Sequence, residues 1–108
     1  MAERYRMDME HHVYFWLKDE RDNEVDRGVF EMGIEALCLS PNIESSHWGA
    51  PAATTERSVT DHSFSYAISL KFDSMDRHDR YQESDLGHDV FIASFKDWWA
   101  KVVVMDVA

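Results

Sequence analysis

Residues 63–72 have the clearest period in the sequence, and this stretch constrains the fold more than any other feature. Its large residues occupy alternate positions, with small residues and one lysine between them: Phe64, Tyr66, Ile68, Leu70 and Phe72. A two-residue repeat of this kind is typical of a β-strand with one large apolar face. Because the opposite face is small and only weakly polar, the pattern predicts a central strand that another layer approaches closely.

Composition limits the classes of protein that the chain can belong to. Its 108 residues, 44% of them apolar, suffice for one ordinary core, so we expect one domain. With 21 acidic and 11 basic residues the formal charge is -10, which disfavours nucleic acid and anionic membranes as partners. Cys38 is the single cysteine, and the first ten residues lack the apolar core of a signal peptide. These features predict a reduced, cytoplasmic location.

The first strand is predicted over residues 11–18, after a flexible N-terminal arm at 1–10, so that the domain spans 11–108. Aromatic and β-branched residues make both faces of this strand apolar, and each face must therefore be covered. We assign Val13, Phe15 and Leu17 to the face away from the helices. We assign His12, Tyr14 and Trp16 to the helix side.

The remaining elements follow from helical periods and from capping residues. A helix is predicted to begin at Asp22 or Asn23 and to end before Ser40-Pro41, and a short strand follows at 43–48. Residues 49–62 are small, polar and long for a strand connection, so we expect a mobile loop that acts as a lid. A helix interrupted at Gly87 and a last strand at 100–107 complete the chain.

This order predicts an α+β protein with a ferredoxin-like βαββαβ fold and a four-stranded antiparallel sheet. Its helices lie on one face of the sheet and leave the other face uncovered in a single chain. We therefore expect a homodimer in which two sheets stack face to face and form an α/β barrel. The residues assigned to the uncovered face are Val13, Phe15, Leu17, Val103 and Met105.

Six motifs occur in a characteristic order over residues 11 to 107: HHVYFWLKDE, HWG, SLKFDS, RYQ, HDVF and WWAKVVVMD. In this respect the sequence resembles the stress-responsive A/B barrel domain family, a branch of the dimeric α/β-barrel superfamily. The resemblance implies a pocket between the sheet and the helices, with no cofactor and with a small apolar or aromatic ligand.

In a plant polyketide cyclase of this family, a tyrosine and a histidine act together on the substrate. The resemblance places these roles on Tyr81 and His88. It also implies that His12 is a pocket histidine. Tyr66 stands where the cyclase has a further pocket histidine, at the start of the third strand. The predicted pocket residues beside the pair are His12, Tyr14, Trp16, Tyr66, Ile68, Leu70, Phe91 and Trp99.

The chemistry of the pair is complementary. An imidazole with an ordinary pKa of about 6.5 exchanges a proton near neutrality, whereas a phenol at about 10 stays protonated and donates to a carbonyl oxygen. Together they suit enolisation, cyclisation or isomerisation beside a carbonyl. The alternative is that Tyr81 packs in the core and His88 caps the second helical segment.

Three functions remain open at this point: a small-molecule-binding protein, a cofactor-free cyclase or isomerase, and a structural oligomer. The six histidines do not indicate a metal site, because neighbours such as His78 and Asp79 on a helix do not face one point. We therefore interpret these polar residues as solvated charge.

Overall fold

The structure, a computed structural model, describes residues 8–108, and this part of the chain contains four strands, three α-helices and one short 3-10 helix at Asp19–Arg21. The predicted arm lies outside the described residues up to position 7, and the first strand begins at Met9. The elements are β1 (Met9–Leu17), α1 (Glu24–Leu37), β2 (Ser45–Gly49), β3 (Tyr66–Phe72), α2 (Met75–Ser84), α3 (Leu86–Phe95) and β4 (Trp99–Val107).

The four strands form one antiparallel sheet in the order β2-β3-β1-β4. This order, together with the helices between the strands, confirms the predicted ferredoxin-like fold. Side-chain caps start all three α-helices, and Asn23 is one of the two capping residues that the sequence suggested for α1. Asn23 accepts a hydrogen bond from the Asp26 amide at 2.9 Å, Ser74 caps α2, and Asp85 caps α3.

The predicted alternation of β3 is confirmed, and it supplies the centre of the core. Tyr66, Ile68, Leu70 and Phe72 are all buried. Helix α1 covers them with the buried side chains Phe30, Ile34 and Leu37. Phe15, Phe91 and Phe95 surround Phe30 at ring-centroid distances of 5.1–5.7 Å, mostly in the edge-to-face or tilted arrangements that aromatic rings prefer.

The face assignment of β1 was wrong. Val13 lies opposite Ile68 on one side and opposite Val104 on the other, which places Val13 on the helix side of the sheet. Phe15 and Leu17 follow with the same parity, and both are buried in the core. His12, Tyr14 and Trp16 therefore lie on the face away from the helices. The physical reason is that Tyr and Trp carry a polar atom, which suits a half-exposed face better than a closed core.

No element within residues 8–108 covers the second face of the sheet, as predicted, although some of the residues on this face differ from those expected. We call it the open face. Residues of β4 lie opposite β1 there, with Val103 paired to Tyr14 and Met105 paired to His12. Phe64 packs against Tyr14 and Trp16 from the loop before β3. Its apolar members are Tyr14, Trp16, Phe64, Val103, Met105 and Val107.

Helices α1 and α3 approach each other closely at Gly33. A Cβ atom added there would lie 2.3 Å from Cε2 of Phe95, a ring held in the core. Gly28, five residues earlier in the same helix, has open space at the corresponding point. The two glycines thus separate the effect of packing from the effect of helix propensity.

We predict opposite effects of alanine at these two positions. Gly28→Ala should raise the free energy of unfolding by about 0.5–1 kcal/mol, because alanine is the better helix former. Gly33→Ala should lower it by about 1–3 kcal/mol, because the overpacking against Phe95 outweighs the same gain. Urea unfolding at one protein concentration measures both. Equal stabilisation by the two substitutions would show that α1 and α3 do not pack as described.

Candidate functional site

A cavity of about 360 Å³ lies between the sheet and helices α2 and α3. Apolar side chains from β1, β3, β4 and the helices form most of its wall, and a small set of polar side chains interrupts them. We call it the helix-side cavity. It is lined by His11, Val13, Phe15, Leu37, Ile68, Leu70, Tyr81, Gln82, His88, Phe91, Ile92, Trp99, Val102 and Val104.

Three polar rings form a row along one wall of the cavity. The ring centroids of Tyr81 and His88 are 4.6 Å apart, and those of His11 and Tyr81 are 6.0 Å apart. Tyr81 comes from α2, His88 from the first turn of α3, and His11 from β1. The helix break therefore brings Tyr81 and His88 together instead of separating them.

Tyr81 is 2% exposed and packs against Phe72, with ring centroids 5.2 Å apart. Burial, reinforced by the negative charge of Asp85, raises the pKa of Tyr81 well above its ordinary value. The phenol therefore stays protonated at all physiological pH values. It can donate a hydrogen bond to an oxygen atom in the cavity.

His88 is held with part of its ring buried. Its Nδ1 is shielded from solvent and lies 3.9 Å from Oδ1 of Asp89, which is too far for a hydrogen bond, and it has no other partner among residues 8–108. Its Nε2 lies 3.3 Å from Nε2 of Gln82. Burial lowers the pKa of His88, although the carboxylates of Asp89 and Asp85 oppose this shift. The imidazole is therefore neutral near pH 7 and able to accept a proton.

Asp85 fixes the backbone on which His88 sits. Its Oδ1 accepts a hydrogen bond from the His88 amide at 3.0 Å. Its Oδ2 accepts from Nδ2 of Asn42 at 2.8 Å and from the hydroxyl of Ser40. Burial alone would raise the pKa of Asp85, but these hydrogen bonds outweigh burial and lower it. One carboxylate thus joins the end of α1 to the break between α2 and α3.

His11 is a polar member of the wall that the sequence analysis did not select. It is buried, and its Nδ1 lies 2.5 Å from Oδ1 of Asp106 on the adjacent strand β4. Burial lowers the pKa of His11, and the hydrogen bond to Asp106 opposes that shift without reversing it. The ring centroids of His11 and His78 are 5.1 Å apart.

The structure brings together six of the ten side chains that the sequence analysis selected. Those around the helix-side cavity are Ile68, Leu70, Tyr81, His88, Phe91 and Trp99. His12, Tyr14 and Trp16 were wrongly expected there, because β1 presents its other face to the helices. His11 occupies the position that had been assigned to His12.

Tyr66 is on the helix side but outside the cavity. Its hydroxyl donates to Oε2 of Glu31, and the guanidinium of Arg27 lies 4.5 Å from the centre of its ring. Burial and the hydrogen bond to Glu31 raise the pKa of Tyr66 to about 12. Helix α1 thus covers this end of β3, and Tyr66 does not line the helix-side cavity, contrary to the expectation.

The loop before β3 does not line the helix-side cavity, contrary to the expectation of a lid. Its end lies beside the open face, where Nε1 of Trp16 donates to Oγ of Ser63 at 2.9 Å. Oγ of Ser65 accepts from the Leu17 amide at 2.9 Å. The loop is therefore joined to the end of β1, at the far side of the sheet from His88.

Comparison with known proteins identifies the family of this chain. The sequence pattern described as the stress responsive A/B barrel domain matches residues 9–108. The chain belongs to the stress-responsive A/B barrel domain family. No curated protein resembles the chain in sequence closely enough to count as a match.

Solved structures share the fold of this family member. A dimeric ferredoxin-like protein of unknown function from Thermobifida fusca has a TM-score of 0.75 and 17% identity, covering 96% of this chain and 92% of its own. A protein of the same family from Mesorhizobium loti has a TM-score of 0.73 and 14% identity, covering 94% of this chain and 95% of its own. Hydroxynitrile lyase from Passiflora edulis has a TM-score of 0.73 and 18% identity, covering 94% of this chain and 92% of its own. At these identities the likeness establishes the fold.

The stress-responsive A/B barrel fold gives this chain only short helices. Within residues 8–108, none of them combines the length and the apolar character that a membrane span requires.

We predict that Asp85 stabilises the site in a pH-dependent way. Both carboxylate oxygens of Asp85 accept hydrogen bonds, whereas the side chain of asparagine has only one acceptor oxygen. Asp85→Asn should therefore lower the free energy of unfolding by about 1–3 kcal/mol at pH 7. Because the folded state lowers the pKa of Asp85, its contribution is present above the unfolded pKa. The contribution is lost as pH falls through the folded pKa, and the difference from wild type should then narrow.

Urea titrations at pH 7, 5 and 3 measure this difference, and Asp97→Asn is the matched control. Asp97 is exposed, and its substitution should change stability by less than about 0.5 kcal/mol at each pH. A difference between wild type and Asp85→Asn that stays constant down to pH 3 would contradict the proposed role of the charge.

Proposed function

We propose that this protein binds a small, mainly apolar ligand in the helix-side cavity. The observation that supports the proposal most strongly is the combination of an apolar wall with two polar side chains that can bind a ligand oxygen or exchange a proton. These are Tyr81, whose phenol stays protonated, and His88, whose Nδ1 has no hydrogen-bond partner within residues 8–108. Ligand sites of proteins typically combine a concave apolar surface with a few oriented polar groups.

The lining indicates the chemical class of the ligand. Phe91 and Trp99 offer flat aromatic surfaces, with ring centroids 6.2 Å apart, while Tyr81 offers a protonated donor. An aromatic or alicyclic molecule with one carbonyl oxygen matches both features. A cavity of about 360 Å³ accommodates one or two fused rings.

The cavity opens to solvent beside β4. Val102 and Val104 face the helix side, yet they remain 41% and 49% exposed, because the helices cover β1 and β3 but do not extend over the edge strand. A ligand can therefore enter along β4 without any movement of the core.

The open face supports a homodimer as the functional form. It presents Trp16, Tyr14 and Val103 in one continuous layer across two strands, with Phe64 packed against it. A continuous apolar layer that no other element covers is typical of an interaction site on a small domain. A second copy related by a two-fold axis would cover the open face with an identical open face and leave the entrance beside β4 on the helix side.

We predict that 2-acetonaphthone, a bicyclic aromatic methyl ketone, binds in the helix-side cavity. Titration followed by methyl NMR should shift the signals of Val13, Ile68 and Leu70, which line the cavity. Val104→Trp should weaken binding by about tenfold or more, because the indole narrows the entrance. Val25→Trp, at an exposed position on α1, should leave binding unchanged.

Two results would contradict the proposal of a ligand cavity. One is the absence of any saturable methyl shift, which would favour a structural oligomer. The other is a set of shifts confined to Val103 and Val107 on the open face, which would move the binding site to the opposite side of the sheet.

The adjacency of Tyr81 and His88 favours a second candidate function, acid-base catalysis on a bound carbonyl compound. Neutral His88 would take a proton from the carbon next to the carbonyl, while Tyr81 donates a hydrogen bond to the carbonyl oxygen on which negative charge develops. The Passiflora edulis neighbour is a hydroxynitrile lyase, so this fold is compatible with lyase chemistry. No cofactor is needed for such a step.

Exchange of the methyl protons of 2-acetonaphthone for deuterium tests this candidate. In D₂O the wild-type protein should accelerate exchange over buffer, and His88→Gln should remove about 10²–10⁴-fold of that acceleration. Tyr81→Phe should reduce exchange while leaving the methyl shifts on binding nearly the same. A bound ketone that exchanges no faster than in buffer would reject catalysis on this ketone and leave the binding proposal standing.

A further inference from the structure

Three potential metal ligands meet around His11, which lines the helix-side cavity, and the sequence gives no sign of their proximity. One ring nitrogen of His11, one of His78 and one carboxylate oxygen of Asp106 all lie within 4.8 Å of one another. They come from β1, α2 and β4 respectively. His11 and Asp106 are directly opposite each other on paired antiparallel strands, although 95 positions separate them in the sequence.

The hydrogen bonding of His78 leaves one nitrogen available. Its Nδ1 lies 3.2 Å from Oδ1 of Asp79, which identifies Nδ1 as the protonated nitrogen. Its Nε2 is shielded from solvent and has no hydrogen-bond partner in the described part of the chain. A buried imidazole lone pair without a partner costs free energy unless something binds it. A carboxylate that orients a metal-binding histidine in this way is common in metalloproteins.

We propose that His11, His78 and Asp106 form a binding site for one divalent transition-metal ion of the zinc type. Two imidazoles and one carboxylate are a donor set that zinc accepts, with a remaining position for water or for a ligand. The strongly acidic chain, with a formal charge of -10, attracts cations to the site.

The metal replaces the proton that His11 and Asp106 share. Ligand atoms at about 2.0–2.1 Å from a tetrahedral zinc ion lie about 3.3 Å from each other, so the 2.5 Å distance between Nδ1 of His11 and Oδ1 of Asp106 must lengthen. Asp106 can move, since its side chain is 45% exposed on an edge strand. The buried His11 keeps its position in the wall of the helix-side cavity.

Titration of the chelator-treated full chain with Zn²⁺ by calorimetry tests the proposal. Wild type should bind one ion per chain with a dissociation constant below about 1 μM, and Co²⁺ should give the visible absorption of a four-coordinate site. Mg²⁺, which prefers oxygen ligands, should not compete at millimolar concentration. Neither readout depends on the ligand cavity being used for catalysis.

Substitutions distinguish this site from weak binding at surface histidines. His78→Gln and Asp106→Asn should each weaken Zn²⁺ binding by about 100-fold or more. His47→Gln, at an exposed histidine outside the group, should have no effect. Asp106→Asn alters an exposed side chain, so it tests the site without disturbing the core. Wild-type binding that is absent, or that survives both site substitutions, would overturn the proposal.

Discussion

The fold depends on β1, a strand that carries large apolar side chains on both faces. Its odd-numbered residues pack under the helices, where Phe15 contacts Phe30, Phe91 and Trp99. Its even-numbered residues, which include Tyr14 and Trp16, lie on the open face. A strand that is apolar on both sides cannot be satisfied by one layer of helices, so the single chain closes only half of its structure. The helix-side cavity and the proposed dimer interface thus lie on opposite faces of β1.

Sequence reasoning recovered the fold because β3 has an unambiguous alternation and because capping residues mark the starts of α1 and α2. It misassigned β1 because the strand is apolar at every second position in either register, so that periodicity gives no preference. The chemistry of the residues could have decided the register. Tyr14 and Trp16 have polar atoms that suit an interface, whereas Val13 and Phe15 have none. With that choice His11, and not His12, would have been placed in the cavity.

The sequence predicted part of the cavity wall but not the group of polar residues around His11. Tyr81 and His88 were found through the family resemblance, and Asp85 between them sets their relative position through the cap of α3. His11 and Asp106 meet through strand pairing, and His78 joins them through the packing of α2 on β1. Contacts of this kind depend on register and helix orientation, which single residues and short spacings do not encode. The polar wall of the cavity is therefore a product of the tertiary structure.

Sedimentation velocity of the wild type and of two matched variants tests the central claim that the open face is covered by a second copy. Val103 lies opposite Tyr14 on the open face, whereas Val25 is a 75% exposed valine on α1. The wild type should sediment as a dimer at micromolar concentration. Val103→Glu should dissociate the dimer, because a charge buried in the interface is unfavourable. Val25→Glu should remain dimeric. A folded wild-type monomer, or a dimer that survives Val103→Glu, would contradict the account.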